Sequence, residues 1–271
     1  MKRTIKRAIK NIFDTSLPKR MTTSVSDNQA YPQVCIDATN NYRLFNNFRR
    51  NPVYNEVLEH VTEPQGQEYL DLILDDPDIF RAILAFKQND EHGNPQMFDY
   101  PNVGMISPST LRYIKVLVDL KKYFRTLDNL NLCEIGVGYG GQCRVINAYF
   151  KPAAYCLVDI QPALGLAQRY LGGYITHSVL SFKTMNELSP SDYDLVISNY
   201  AFTELPRVIQ EVYLQKVILK SKRGYITYNE FTPPEFNSYK SDELLKMIPG
   251  CQRFEERPLT HPKNCILAWG L

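Results

Sequence analysis

The chain has 271 residues, of which 44% are hydrophobic and 22% charged, with a formal net charge of +2. Such a composition fits one soluble α/β domain with an extension. It excludes a membrane-spanning bundle, because the longest apolar runs are about strand length, far short of the ~20 residues of a span. The near-neutral balance gives no indication of a nucleic-acid partner. The charge is uneven, however. Residues 1–20 hold seven Lys/Arg and one Asp, net +6, leaving +2 − 6 = −4 for the remainder. The six cysteines include no C-x-x-C pair. Cys133, Cys156 and Cys265 sit inside apolar runs, where a reduced core thiol is expected, which points to the cytoplasm.

In chain order, Ile5, Ile9, Ile12 and Phe13 share one helical face with Lys2, Arg3, Lys6, Arg7 and Lys10 around them. This basic amphipathic segment, residues 1–13, could touch an anionic membrane weakly or be a solvated terminus. It lacks the uninterrupted apolar stretch of a secretory signal. Residues 1–30 read as a basic tail. Residues 31–106 read as a helical extension broken by Pro52, Pro64 and Pro77, each near a helix start. Within it, Lys87 to Pro101 is polar and reads as a loop. Ser107-Pro108 opens the next helix, with the serine as N-cap and the proline at the first helical position. Arg112 and Tyr113 stand one turn in. Arg112 could pair bidentately with a carboxylate, or be an ordinary surface arginine.

From residue 107 to 271 the pattern is that of an α/β domain. An apolar run with Glu134 stops at Gly136, Gly138, Gly140 and Gly141. A helix follows, and a second run from Tyr155 to Val158 ends in Asp159. Glycines let the chain turn tightly and let a ligand approach the backbone. An acid closing the next strand can accept ribose hydroxyls. A third strand is expected over Tyr174–Ser178 and a fourth over Tyr193–Asn199. Pro206 starts a long helix running to about Ile218. A fifth strand spans Gly224–Glu230 and a helix follows around Ser241–Ile248. Two last strands, about Cys251–Pro258 and Asn264–Gly270, are joined by a connection too short for a crossover, so they must be antiparallel.

The glycine loop has two readings. Gly136, Gly138 and Gly141 match G-x-G-x-x-G, the dinucleotide fingerprint. Glu134 with Gly136, Gly138 and Gly140 matches E-x-G-x-G-x-G of class I S-adenosylmethionine methyltransferases. An NAD-dependent oxidoreductase would usually repeat the β-α-β half and add a substrate domain. Five strand–helix alternations closed by a hairpin instead predict a Rossmann-like seven-stranded sheet with an antiparallel C-terminal strand.

The stretches NLCEIGVGYGGQCRVI, CLVDI, YDLVISNYAFTELPR and NCILAWG, with ISPSTLRYIKVLVDL ahead of them, resemble the sugar O-methyltransferase family of bacterial surface-polysaccharide clusters. The resemblance runs from about Tyr42 to the C-terminus and implies methyl transfer from S-adenosyl-L-methionine to a sugar or glycan hydroxyl. It implies that Glu134, Gly136 and Gly138 face the methionine part of the cofactor, Asp159 the ribose, Ile160 and Ser178 the adenine, and Asn199 the amino-acid portion. A hydroxyl is a poor nucleophile and needs a base. Glu204, at the carboxyl edge of the sheet, and His261, in the last turn, are the candidates. Arg112, Tyr113, Tyr200 and Glu230 are candidate acceptor-binding groups. No metal-ligand spacing is evident. Another small-molecule or lipid acceptor, or a non-catalytic nucleoside-binding partner protein, are the alternatives. The oligomeric state is not readable.

Overall fold

In the computed structural model the chain is described from residue 30 to residue 271. The basic segment 1–13 and its expected surface helix lie outside the described residues. The extension carries α1 (Ala30–Asn40) and α2 (Glu63–Leu74), with shorter helical turns between and after them. A small antiparallel ribbon, β1 (Phe98–Tyr100) and β2 (Gly104–Ile106), leads into α3 (Pro108–Phe124). The main sheet then alternates with helices: β3 (Asn131–Ile135), α4 (Gly141–Asn147), β4 (Ala154–Val158), α5 (Gln161–Leu171), β5 (Val179–Lys183) and β6 (Leu195–Asn199). It continues through α6 (Arg207–Lys216), β7 (Gly224–Tyr228), α7 (Ser241–Met247), β8 (Gln252–Glu255) and β9 (Cys265–Trp269).

The sheet order is β5-β4-β3-β6-β7-β9-β8. β5, β4, β3, β6 and β7 pair in parallel, and β9 runs antiparallel to both β7 and β8. This is the predicted seven-stranded sheet with one reversed strand, the fold of class I methyltransferases. The order reverses at β3, where the chain crosses from β5 back to β6. In an open α/β sheet that reversal leaves a crevice beyond the carboxyl ends of the strands, where ligands bind. Both faces are covered, so β4 reads as an unbroken apolar run, and β3 and β6 are apolar apart from Glu134, Ser198 and one terminal asparagine each, rather than alternating.

Local signals account for the helix starts. Pro52, Pro64 and Pro77 each stand in the first turn of a helical segment. Ser107 caps α3 by accepting the Thr110 N–H, with Pro108 at the first helical position. Three expectations shift. The third strand is Val179–Lys183, not Tyr174–Ser178, because β4 sets its register through Ala154↔Val179 to Val158↔Lys183. Ile175, inside the expected strand, is 94% exposed. The Lys87–Pro101 loop ends in the ribbon, anchored where Tyr100 Oη donates to the Glu63 carbonyl. α6 stops at Lys216, and a separate 3-10 turn covers Ile218–Lys220.

One face of the sheet and the extension share a single core that reaches from Tyr31 of α1 to Ile266 of β9. The other face packs on α6 and α7 through Val196, Ile226, Leu214 and Leu244. A polar knot lies inside the first core. Arg49, with no exposed surface, pairs with Glu59 at 2.8 Å and Asp90 at 2.9 Å. It also donates to Ser107 Oγ and lies 5.0 Å from the centroid of the Tyr139 ring. Tyr139 belongs to the glycine loop, so the extension is tied directly to the segment that shapes the crevice.

Candidate active site

The site begins where β3 runs out. Glu134 is 2% exposed, and its Oε2 accepts the Tyr155 hydroxyl at 2.7 Å. Burial raises its pKa to about 8, against the opposing pull of that hydrogen bond. Gly136 and Gly138 both have positive φ, +80° and +54°, a region costly for other residues. Space matters as much as torsion. A Cβ on Gly136 would lie 2.0 Å from the Cβ of Ala201, which follows β6. A Cβ on Gly138 would lie 2.7 Å from Leu58 Cδ1 of the extension. The glycines therefore let the β6 turn and the extension close onto the loop.

Asp159 stands at the end of β4. Its Oδ2 accepts the Gly138 N–H at 2.9 Å and its Oδ1 accepts the Ile160 N–H at 2.7 Å. Burial nevertheless raises its pKa to about 6, outweighing those donors. The carboxylate is thus fixed to the glycine turn at the edge of a cavity of about 710 Å³.

That cavity is roofed by the extension, through Val57, Leu58, Val61 and Tyr69, and floored by the ends of β3, β4, β6 and β7. Away from Asp159 it is lined by Glu204, Asn229, Glu256 and His261. Glu204 Oε1 accepts the Asn229 Nδ2–H at 2.8 Å. The Asn229 carbonyl oxygen in turn accepts the Phe231 N–H at 3.0 Å, which fixes the amide with its NH₂ toward the carboxylate. Burial raises the Glu204 pKa, while Asn229 and the Arg112 charge lower it. Glu256, 3% exposed, accepts the Tyr200 hydroxyl and both the N–H and hydroxyl of Thr260. Tyr200 itself is held at φ +66°, an unusual torsion for a bulky residue. A strained residue between an asparagine and a carboxylate at a strand end is a common mark of a functional turn.

Of the residues singled out in the sequence, Glu134, Gly136, Gly138, Asp159, Ile160 and Asn199 line this one cavity. Arg112, Tyr113, Tyr200, Glu204 and His261 line it too. Two do not. Ser178 precedes β5 instead of ending it, and its hydroxyl donates to Asn147 Oδ1 at 2.8 Å, at the opposite edge of the sheet. The residues that follow β5 into the cavity are Thr184, Met185 and Asn186. Glu230 is likewise outside the cavity lining. It accepts the Tyr228 hydroxyl and faces Lys240 at 3.4 Å, because it lies past the end of β7 on the other side of the strand from Asn229. Sequence reading missed Asn229 and Glu256. For Glu256 a signal existed: adjacent Glu255 and Glu256 leave β8 on opposite sides, and Glu255 turns outward to Arg257. Among the described residues no group of three or more His, Cys, Asp or Glu is placed to hold a metal ion, and no helix is long and apolar enough to cross a membrane.

No protein-family model matches the chain, and no curated protein matches it in sequence. Solved structures resemble it at low identity. A Pyrococcus horikoshii protein described as a candidate RNA methyltransferase is 15% identical, with a TM-score of 0.45 over 70% of this chain and 96% of that one. Magnesium protoporphyrin IX methyltransferase of Synechocystis PCC 6803, with bound SAM, is 17% identical, with a TM-score of 0.42 over 58% of this chain and 81% of that one. A Galdieria sulphuraria protein described as a candidate sarcosine dimethylglycine methyltransferase is 15% identical, with a TM-score of 0.41 over 54% of this chain. The match spans 63% of that protein, less than two thirds of its length.

Proposed function

We propose that the chain is an S-adenosylmethionine-dependent O-methyltransferase acting on a sugar hydroxyl. The observation that carries this reading is the pairing within one cavity of a nucleoside end and a proton-accepting end. Asp159, tied to Gly138, stands at the first; Glu204, oriented by Asn229, stands at the second. The residues fit the cofactor. Asp159 would accept the ribose hydroxyls, Glu134 and Asn199 would face the amino-acid portion, and Ile160 with Thr184–Asn186 would border the base. When bound, S-adenosylmethionine supplies a methyl group carried on a sulfonium.

The chain's own work is placement and proton removal. Bringing the acceptor oxygen into line can supply roughly 7–11 kcal/mol of the barrier. The roof of Leu58, Val61 and Tyr69 lays largely apolar surface over the cavity. Glu204 would take the hydroxyl proton. Its burial-raised pKa brings it toward the range of an effective base near neutrality, while the Asn229 donor steadies the carboxylate form. Tyr200 and Glu256 supply a hydroxyl and a carboxylate suited to sugar hydroxyls. Phe231, 78% exposed, also lines the cavity, its ring centroid 6.5 Å from that of His261. An apolar group at this point suits an acceptor with a lipid or aromatic portion, such as a lipid-linked glycan.

The test is transfer of a tritiated methyl group from S-adenosylmethionine to a panel of free sugars, nucleotide sugars and lipid-linked glycans. Label should enter a sugar, and Glu204→Gln should cut turnover about 10²–10⁴-fold with S-adenosylhomocysteine affinity unchanged. Label entering only non-sugar acceptors would overturn the acceptor assignment. A fully active Glu204→Gln enzyme would move the base to His261.

A further inference from the structure

The cavity's cations can be taken one at a time. Lys115 pairs with Asp119 at 2.7 Å, and Arg257 pairs with Glu255 at 2.8 Å. Arg112 is different. Among the described residues it lies within ion-pair distance of no carboxylate, although it lines the cavity. The acids around it are engaged elsewhere. Glu59 receives Arg49 on both oxygens, at 2.8 and 3.1 Å. Glu256 accepts from Tyr200 and Thr260, and Glu204 accepts from Asn229. One terminal nitrogen of Arg112 donates to the Leu58 carbonyl at 3.0 Å, and the guanidinium carbon lies 5.6 Å from the centroid of the Tyr113 ring. The guanidinium is therefore anchored by one N–H, and its remaining donors are unclaimed.

A half-buried guanidinium anchored by one N–H, with no carboxylate in contact, has open donors to offer a ligand. Its planar fork matches a carboxylate in two parallel hydrogen bonds. A phosphate fits less well, since Glu204 and Glu256 share the cavity and would repel a second negative charge. We propose that Arg112 is the carboxylate receptor of this cavity, completed by a ligand that brings a single carboxylate to it. Resting on the function proposed above, this leaves two sources: the amino-acid end of the cofactor, or the acid group of a uronic-acid acceptor.

Calorimetry on the full chain separates them. The probes are S-adenosylhomocysteine, 5′-methylthioadenosine, which lacks the amino-acid carboxylate, and, with S-adenosylhomocysteine bound, D-glucuronate against D-glucose. If the cofactor supplies the carboxylate, Arg112→Leu weakens S-adenosylhomocysteine about 10- to 100-fold and leaves 5′-methylthioadenosine unchanged. Arg112→Lys, which keeps the charge but not the fork, falls between. If the acceptor supplies it, both nucleosides bind Arg112→Leu normally, and wild type prefers glucuronate over glucose by about tenfold or more, a preference the variant loses. Unchanged 5′-methylthioadenosine binding also shows that the variant is folded. Equal behaviour of wild type and Arg112→Leu toward every probe overturns the assignment. Wild type that binds neither nucleoside overturns the reading of the whole site, a separate and recognisable failure.

Discussion

Two acids at the carboxyl edge of the sheet have pKa values raised by the same cause, burial, and this links the site to stability. Glu134 moves from 4.5 to about 8 and Asp159 from 3.8 to about 6. The native state therefore holds protons that the unfolded chain has released. For Glu134 the favourable contribution is complete below pH 4.5 and is lost as pH rises through about 8. Stability falls with pH across that window, by up to about 1.4 kcal/mol per pH unit. Asp159 adds the same sign between 3.8 and about 6. The ligand-free protein should melt at progressively lower temperature as pH is raised from about 5 to 8. Glu134→Gln, which keeps the acceptor for Tyr155 but cannot ionise, should flatten the upper part of that slope. Melting curves of the two proteins with identical pH dependence would show that Glu134 titrates normally.

At the scale of elements, the extension is the least expected contributor to the site. Proline positions made its helices legible, because prolines near helix starts are local signals. Its role as a roof was not legible, because it depends on contacts between residues far apart in the chain. Leu58 meets Gly138, and Arg49 meets Tyr139, across 80 and 90 positions of sequence. The Arg49 cluster should be energetically decisive. Arg49→Leu would leave Glu59 and Asp90 buried without their counter-ion, and breaking a buried pair in this way costs about 3–5 kcal/mol. Chemical denaturation should show that loss. A change under about 1 kcal/mol would mean that the two acids find other partners and that the knot does not hold the extension in place. The misplaced third strand has a similar origin. Tyr174–Ser178 and Val179–Lys183 are both short and mixed in character, and pairing with β4, not local composition, chooses between them.

For the whole molecule, the sheet was legible because its connections are short and its inner strands are buried on both faces. The last hairpin alone forced a reversed strand, and the structure has it at β9. That same arrangement separates a single nucleoside crevice from the paired halves of a dinucleotide fold. The end of the cavity away from Asp159 was only partly legible: Glu204 and His261 were singled out by position and line it, whereas Asn229 and Glu256 enter the cavity through strand ends whose facing depends on register. The central claim is therefore that the crevice beside Asp159 holds S-adenosylmethionine, and calorimetric titration of the full chain with S-adenosylhomocysteine and with NAD tests it most directly. S-adenosylhomocysteine should bind, NAD should not compete, and Asp159→Ala should weaken the binding by roughly 2–4 kcal/mol through loss of charge-assisted hydrogen bonds to the ribose. Tight NAD binding with no response to S-adenosylhomocysteine would contradict the account.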